Sequence, residues 1–155
     1  MTRSVVRNKK SALASAQKTP RVALDTDVLL RALLGSDRLA QSLRQSWQAG
    51  QCQPVIAAEG AQLLIKTLGF PNFALDASQQ RELLADFLPY AEAVKAESQA
   101  RQMVLAAPVL RLAKAAGADI LVSECATVRR AFEKSRLGAC QLLSSAEFLA
   151  ALSTP

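Results

Sequence analysis

Two carboxylates, Asp25 and Asp27, stand at the joint of Val22-Ala23-Leu24-Asp25-Thr26-Asp27-Val28-Leu29-Leu30. The apolar run before them is too short for a helix and starts β-branched, so it reads as a buried parallel strand. In open α/β sheets ligands bind at the carboxyl ends of strands, which puts both acids where chemistry would occur. A plainer role is open too: Asp25 or Thr26 as the cap of the next helix, and Asp27 as a first-turn charge favoured by the helix dipole.

The other reactive side chains narrow the chemistry. The chain has no histidine, which removes His-based triads, His general bases and the commoner zinc sites. Its three cysteines form no C-x-x-C pair and no even set, so a disulfide framework is not expected and a reducing cytoplasm is the simplest setting. Cys52 and Cys140 lie in apolar, strand-like runs and read as small core residues. Cys125 stands beside a helix start, where a thiol pKa falls, but without a histidine base it reads as inert.

The elements that must position these groups alternate along the chain. Val28, Leu29, Ala32 and Leu33 line a helix closed by Gly35. Ser36 is the expected cap of a second helix through Leu39, Leu43 and Trp47, stopping at Gly50. Gln53 to Ala57 reads as the second strand, and Leu63, Leu64, Thr67 and Leu68 line a helix ending near Gly69 and Pro71. Ser78 is the expected cap of a helix through Leu83, Leu84, Phe87 and Leu88. Residues 93 to 106 favour helix by composition but show no clear face. Pro108 opens a helix through Leu110, Leu112 and Ala113, closed by Gly117. Asp119 to Ser123 is a third strand, Val128 to Phe132 a basic helix, and Gln141 to Leu143 a fourth strand. Ser144 and Glu147 form a capping box before Phe148 and Leu149.

The net charge of +6 suggests nucleic acid until it is located. Arg3, Arg7, Lys9, Lys10, Lys18 and Arg21 account for all of it; the remaining thirteen basic residues face thirteen acids, all after residue 21. The expected organisation is a basic, disordered tail over residues 1–20 and one domain over 21–155. The tail could touch phosphates through counterion release, or serve only as a solubilising leader or an over-long start. It lacks the apolar core of a secretory signal, and no apolar run approaches the ~20 residues of a membrane span. Half the residues are hydrophobic and only 5% aromatic, which suits helices packed on a parallel sheet.

This order of elements resembles the PIN domain, the metal-dependent ribonuclease fold of many toxin–antitoxin modules. The likeness spans roughly residues 21 to 152. It rests on Leu24-Asp25-Thr26-Asp27-Val28-Leu29, Pro54-Val55-Ile56, Leu68-Gly69-Phe70-Pro71-Asn72-Phe73, the segment Ala115 to Ser123, and Leu142-Leu143-Ser144-Ser145-Ala146-Glu147-Phe148-Leu149. The resemblance implies an α/β fold, a parallel β-sheet of four or five strands flanked by helices on both faces in a Rossmann-like three-layer arrangement. It also implies three or four carboxylates holding Mg²⁺ or Mn²⁺, hard cations that want oxygen ligands.

Carried over residue by residue, that pattern is uneven. Asp25 matches the first acid, and Asp27 holds the position two residues on, where the family often has Asn, Ser or Asp. The expected Glu after the second strand falls at Gln62 or Leu63, the Asp before the Pro108 helix at Ala106 or Ala107, and the last acid at Cys125. Glu59 lies one turn early, ~5 Å along the helix axis. Glu124 could serve only if its loop turns it inward. Asp119 begins its strand, ~13 Å from the other end of the sheet, and reads as a turn residue.

The resemblance therefore implies a PIN-like toxin component with an eroded ribonuclease centre: Asp25, Asp27 and Glu124 as the remaining catalytic acids, with metal held weakly by Asp25 and Asp27. RNA or antitoxin binding could survive, with Arg129 and Arg130 as the RNA contacts if the basic helix borders the Asp25 edge; otherwise Arg129, Arg130, Lys134 and Arg136 are a solvated face. Two other classes stay open. The strand followed by Asp25-Thr26-Asp27 also looks like the first motif of haloacid-dehalogenase-type phosphatases, with Asp25 as nucleophile and Asp27 as acid/base. A non-catalytic module that forms a homodimer or captures a partner helix is the third.

Overall fold

The apolar run after Arg21 forms β1 (Arg21–Leu24), and its three apolar residues are buried on both sides of a sheet. A computed structural model describes residues 19–95, 107–135 and 137–153. The expected basic tail falls almost wholly on residues 1–18, outside the described residues, as do most of 93 to 106, and Arg136. From β1 the chain enters α1 (Thr26–Leu34) and α2 (Arg38–Gln48), returns as β2 (Gln53–Ile56), and continues into α3 (Ala58–Leu68) and α4 (Ala77–Ala85). A two-residue strand β3 (Glu92–Ala93) follows. Then come α5 (Pro108–Ala116), β4 (Ile120–Val122), α6 (Ala126–Glu133), β5 (Gln141–Leu143) and α7 (Ser145–Ser153).

The five strands make one all-parallel sheet in the order β3-β2-β1-β4-β5. Alternation along the strands sorts its two faces. Val22, Leu24, Ile56, Ile120 and Val122 point to the side covered by α1, α2, α3 and α7, where Leu43, Trp47, Leu64, Phe87 and Phe148 complete the larger core. Ala23, Val55 and Leu121 point to the other side, against Leu110 and Ala113 of α5 and Val128 of α6. This is the expected three-layer α/β architecture, with helices on both faces.

Local chemistry explains the boundaries, and in places corrects the reading. Gly117 closes α5 in the left-handed region (φ 61°), the conformation glycine adopts without steric cost. The cap of α2 is Asp37 rather than Ser36: its carboxylate accepts from the Ala40 N–H at 2.9 Å. The cap of α4 is Asp76 rather than Ser78, in a reciprocal box with Gln79. In both cases an aspartate within two residues of the serine takes the helix N–H. The Ser144–Glu147 box of α7 forms as expected. Leu63 does not join the core; it is 39% exposed, while Leu64 and Leu68 are fully buried. Cys52 is buried, but Cys140 is only half-buried, because the strand it precedes lies at the sheet edge.

Candidate functional site at the carboxyl edge of the sheet

Asp25 ends β1 with an extended backbone, and its N–H donates to the Val122 carbonyl at 2.9 Å, continuing the ladder to β4. Its side chain is thereby aimed over the carboxyl edge. One oxygen, Oδ1, accepts from the Thr26 N–H at 2.9 Å and caps α1. The other, Oδ2, accepts from the Ser123 hydroxyl at 2.7 Å. Ser123 is 2% exposed, and its Oγ in turn accepts from the Cys125 N–H at 3.1 Å, so one hydroxyl ties the ends of β1 and β4 to the start of α6. The capping role foreseen for Asp25 is therefore real, and it occupies one of its two oxygens.

Asp27 sits in the first turn of α1 and faces solvent. Its carboxyl titrates above the ordinary value of 3.8: partial desolvation at the rim contributes most, the charge of Asp25 next, and Glu124 adds to it, against a lowering contribution from the Val28 N–H. Glu124 is thus close enough to be felt by Asp27, although its Oε2 accepts from the Ser145 N–H at 2.8 Å and caps α7. The structure brings Asp25, Asp27 and Glu124 to one rim. Among the described residues none of the three is in an ion pair.

Glu59, one turn early in α3, reaches the same neighbourhood from the other side. It lines a cavity with Asp25, but its Oε2 pairs with the Arg111 guanidinium of α5 at 2.6 Å. Asp119 lies at the opposite end of the sheet, accepting from the Arg21 N–H at 2.9 Å, as its place at the start of a strand required. Arg129 and Arg130 are both exposed on α6. Arg129 is near enough to Glu147 to contribute to holding that carboxyl below its usual range, behind the larger effect of the Ser144 N–H. That places Arg129 beside the start of α7, on the same edge as Glu124's partner. Cys125 is the half-buried residue preceding α6, and its side chain makes no capping bond.

The residue the sequence reading passed over is Ser123. A small hydroxyl at the end of an apolar strand was its only signal, and its partner is 98 positions away.

A family model of the PIN domain matches residues 21–124. The chain belongs to the PIN domain family. The match begins at β1 and ends on Glu124, so it contains Asp25, Asp27 and Ser123. No curated protein matches the chain significantly. PIN domains as a family use divalent metals, which makes the donor set here the relevant test of fit. Among the described residues, no three Asp, Glu, Cys or His side chains gather as a possible metal site. The α3 position expected to carry a Glu falls at Gln62 or Leu63, and Ala107 immediately precedes α5.

Proposed function

We propose that this PIN domain protein is the toxin component of a toxin–antitoxin module whose metal-dependent ribonuclease centre is eroded. What remains is RNA binding, or binding of an antitoxin protein, along the carboxyl edge, in the cytoplasm. The observation that carries the reading is the engagement of the rim acids. Asp25 accepts from the Thr26 N–H and the Ser123 hydroxyl, Glu124 from the Ser145 N–H, and Glu59 from Arg111, and among the described residues no three such acids gather around one point. A divalent ion gives up its water only where several protein oxygens converge, so Mg²⁺ or Mn²⁺ is held weakly here. Without a tightly held ion, the attacking water is not activated and the charge at the scissile phosphate is not neutralised, so cleavage is feeble or absent.

The test is direct. Purified protein incubated with single-stranded RNA and Mn²⁺ should degrade it no faster than with chelator present. Metal-dependent cleavage abolished by Asp25→Asn would overturn the reading. RNA binding is supported by the position of Arg129 near Glu147 at this edge. Binding to single-stranded RNA should weaken with salt, and reversing Arg129 and Arg130 to Glu should reduce the log–log salt slope by about 1.4. No binding at low salt would leave the non-catalytic interaction module. Hydrolysis of a simple phosphate ester would instead favour the phosphatase reading of Asp25 and Asp27.

A further inference from the structure

A cavity of about 150 Å³ opens beside Asp25, between the carboxyl ends of β1 and β2 and the helices α1, α3 and α5. Its walls are aliphatic: Leu24, Leu29, Val55, Leu63, Val109 and Leu112 all face it. Two carboxylates, those of Asp25 and Glu59, also line it, and Glu59 is engaged by Arg111. An apolar cavity of about this volume takes up a molecule the size of benzene. A carboxylate at the edge of such a site, partly withdrawn from water, favours a cationic group over a neutral one.

The geometry points to a binding site for a small organic amine: an apolar body of about benzene size seated among the aliphatic side chains, with its ammonium directed at the Asp25 carboxylate. Asp25 can accept the additional bond, because each carboxylate oxygen has two lone pairs and each carries one intramolecular bond here. Anions are disfavoured, since the Asp25 carboxylate would repel them and the Arg111 guanidinium near the cavity is engaged by Glu59. Leu63 gives access, being the substantially exposed one among the six aliphatic residues named. This site is independent of whether RNA is cleaved.

The probe is benzylamine, titrated into the full chain and followed by calorimetry and by backbone amide shifts. Benzyl alcohol, of the same shape without the charge, is the comparison. Benzylamine should bind about ten-fold more tightly than benzyl alcohol, with the largest shifts at Leu24, Leu29, Val55 and Leu63. Asp25→Asn should bring the two affinities together. Leu63→Trp, made at a partly exposed position and checked for an unaltered melting curve, should fill the space and abolish both. Equal affinity for amine and alcohol in the unaltered protein, or no saturable shift at those amides, would overturn the proposal. Cleavage or non-cleavage of RNA bears on neither outcome.

Discussion

The two ends of β1 carry acids in opposite company. At its start, Arg21 donates through Nε to the Ala116 carbonyl, pairs with Glu92 of β3, gives its backbone N–H to the Asp119 carboxylate, and accepts the Asp119 N–H at its carbonyl. Charge meets charge, and strands β1, β3 and β4 are tied together. At its end, among the described residues, Asp25, Asp27 and Glu124 have hydroxyl and N–H donors for partners and no ion pair. Like charges are left near one another, and the Asp27 carboxyl is raised by partial desolvation first and by the charges of Asp25 and Glu124 in addition. The difference separates a rim joined by ion pairs from one joined by hydrogen bonds alone, with acids standing near one another.

That contrast can be broken in order of expected effect. Arg21→Ala should cost about 2 kcal/mol in urea unfolding, because it removes a half-buried guanidinium and leaves Glu92 and the Ala116 carbonyl unpaired. A loss near zero would mean that the amino rim is not the cohesive one. Ser123→Ala should cost about 1 kcal/mol, since Asp25 and the Cys125 N–H lose their shared hydroxyl at a buried position.

A smaller effect is expected at Asp27, and its sign is the informative part. With its folded-state pKa raised above 3.8, the folded chain holds an extra proton just above that pH. Stability contributed by this group therefore falls as pH rises through its raised pKa. Asp27→Asn should remove that fall and leave the protein as stable at neutral pH, or slightly more so. Carboxyl titration by NMR should show Asp27 moving back toward 3.8 in Asp25→Asn and, by less, in Glu124→Gln. A drop in stability for Asp27→Asn would make it a structural acid like those of the opposite rim. Least of all, Mg²⁺ in the low millimolar range should leave the melting temperature within about 1 °C, as expected when the ion concentration does not greatly exceed its Kd.

Much of the scaffold was legible because it rests on local patterns. β1, β2, β4 and β5 were visible as short apolar runs, and α1 as four apolar residues on one face behind Asp25. β3 was not, since two exposed residues, Glu92 and Ala93, carry no periodicity and become a strand only by pairing with Val55 and Ile56. The site divides similarly. Asp25 and Asp27 could be located from the strand–helix joint alone. The partners that decide what they can do could not: Ser123 reaches Asp25 across 98 positions, Arg111 reaches Glu59 across 52, and Ser145 draws on Glu124 across 21. Such pairings depend on the packing of separate elements, which periodicity does not encode.

The central place of β1 sets the timescale on which the Asp25 edge can rearrange. A strand hydrogen-bonded on both flanks exposes its amides only when the whole sheet opens, so those of Val22 and Ala23 should exchange with deuterium no faster than the protein unfolds. β3, paired on one flank alone, should exchange by local fraying. Any ligand that meets Asp25 therefore meets a group anchored in the slowest-opening part of the molecule.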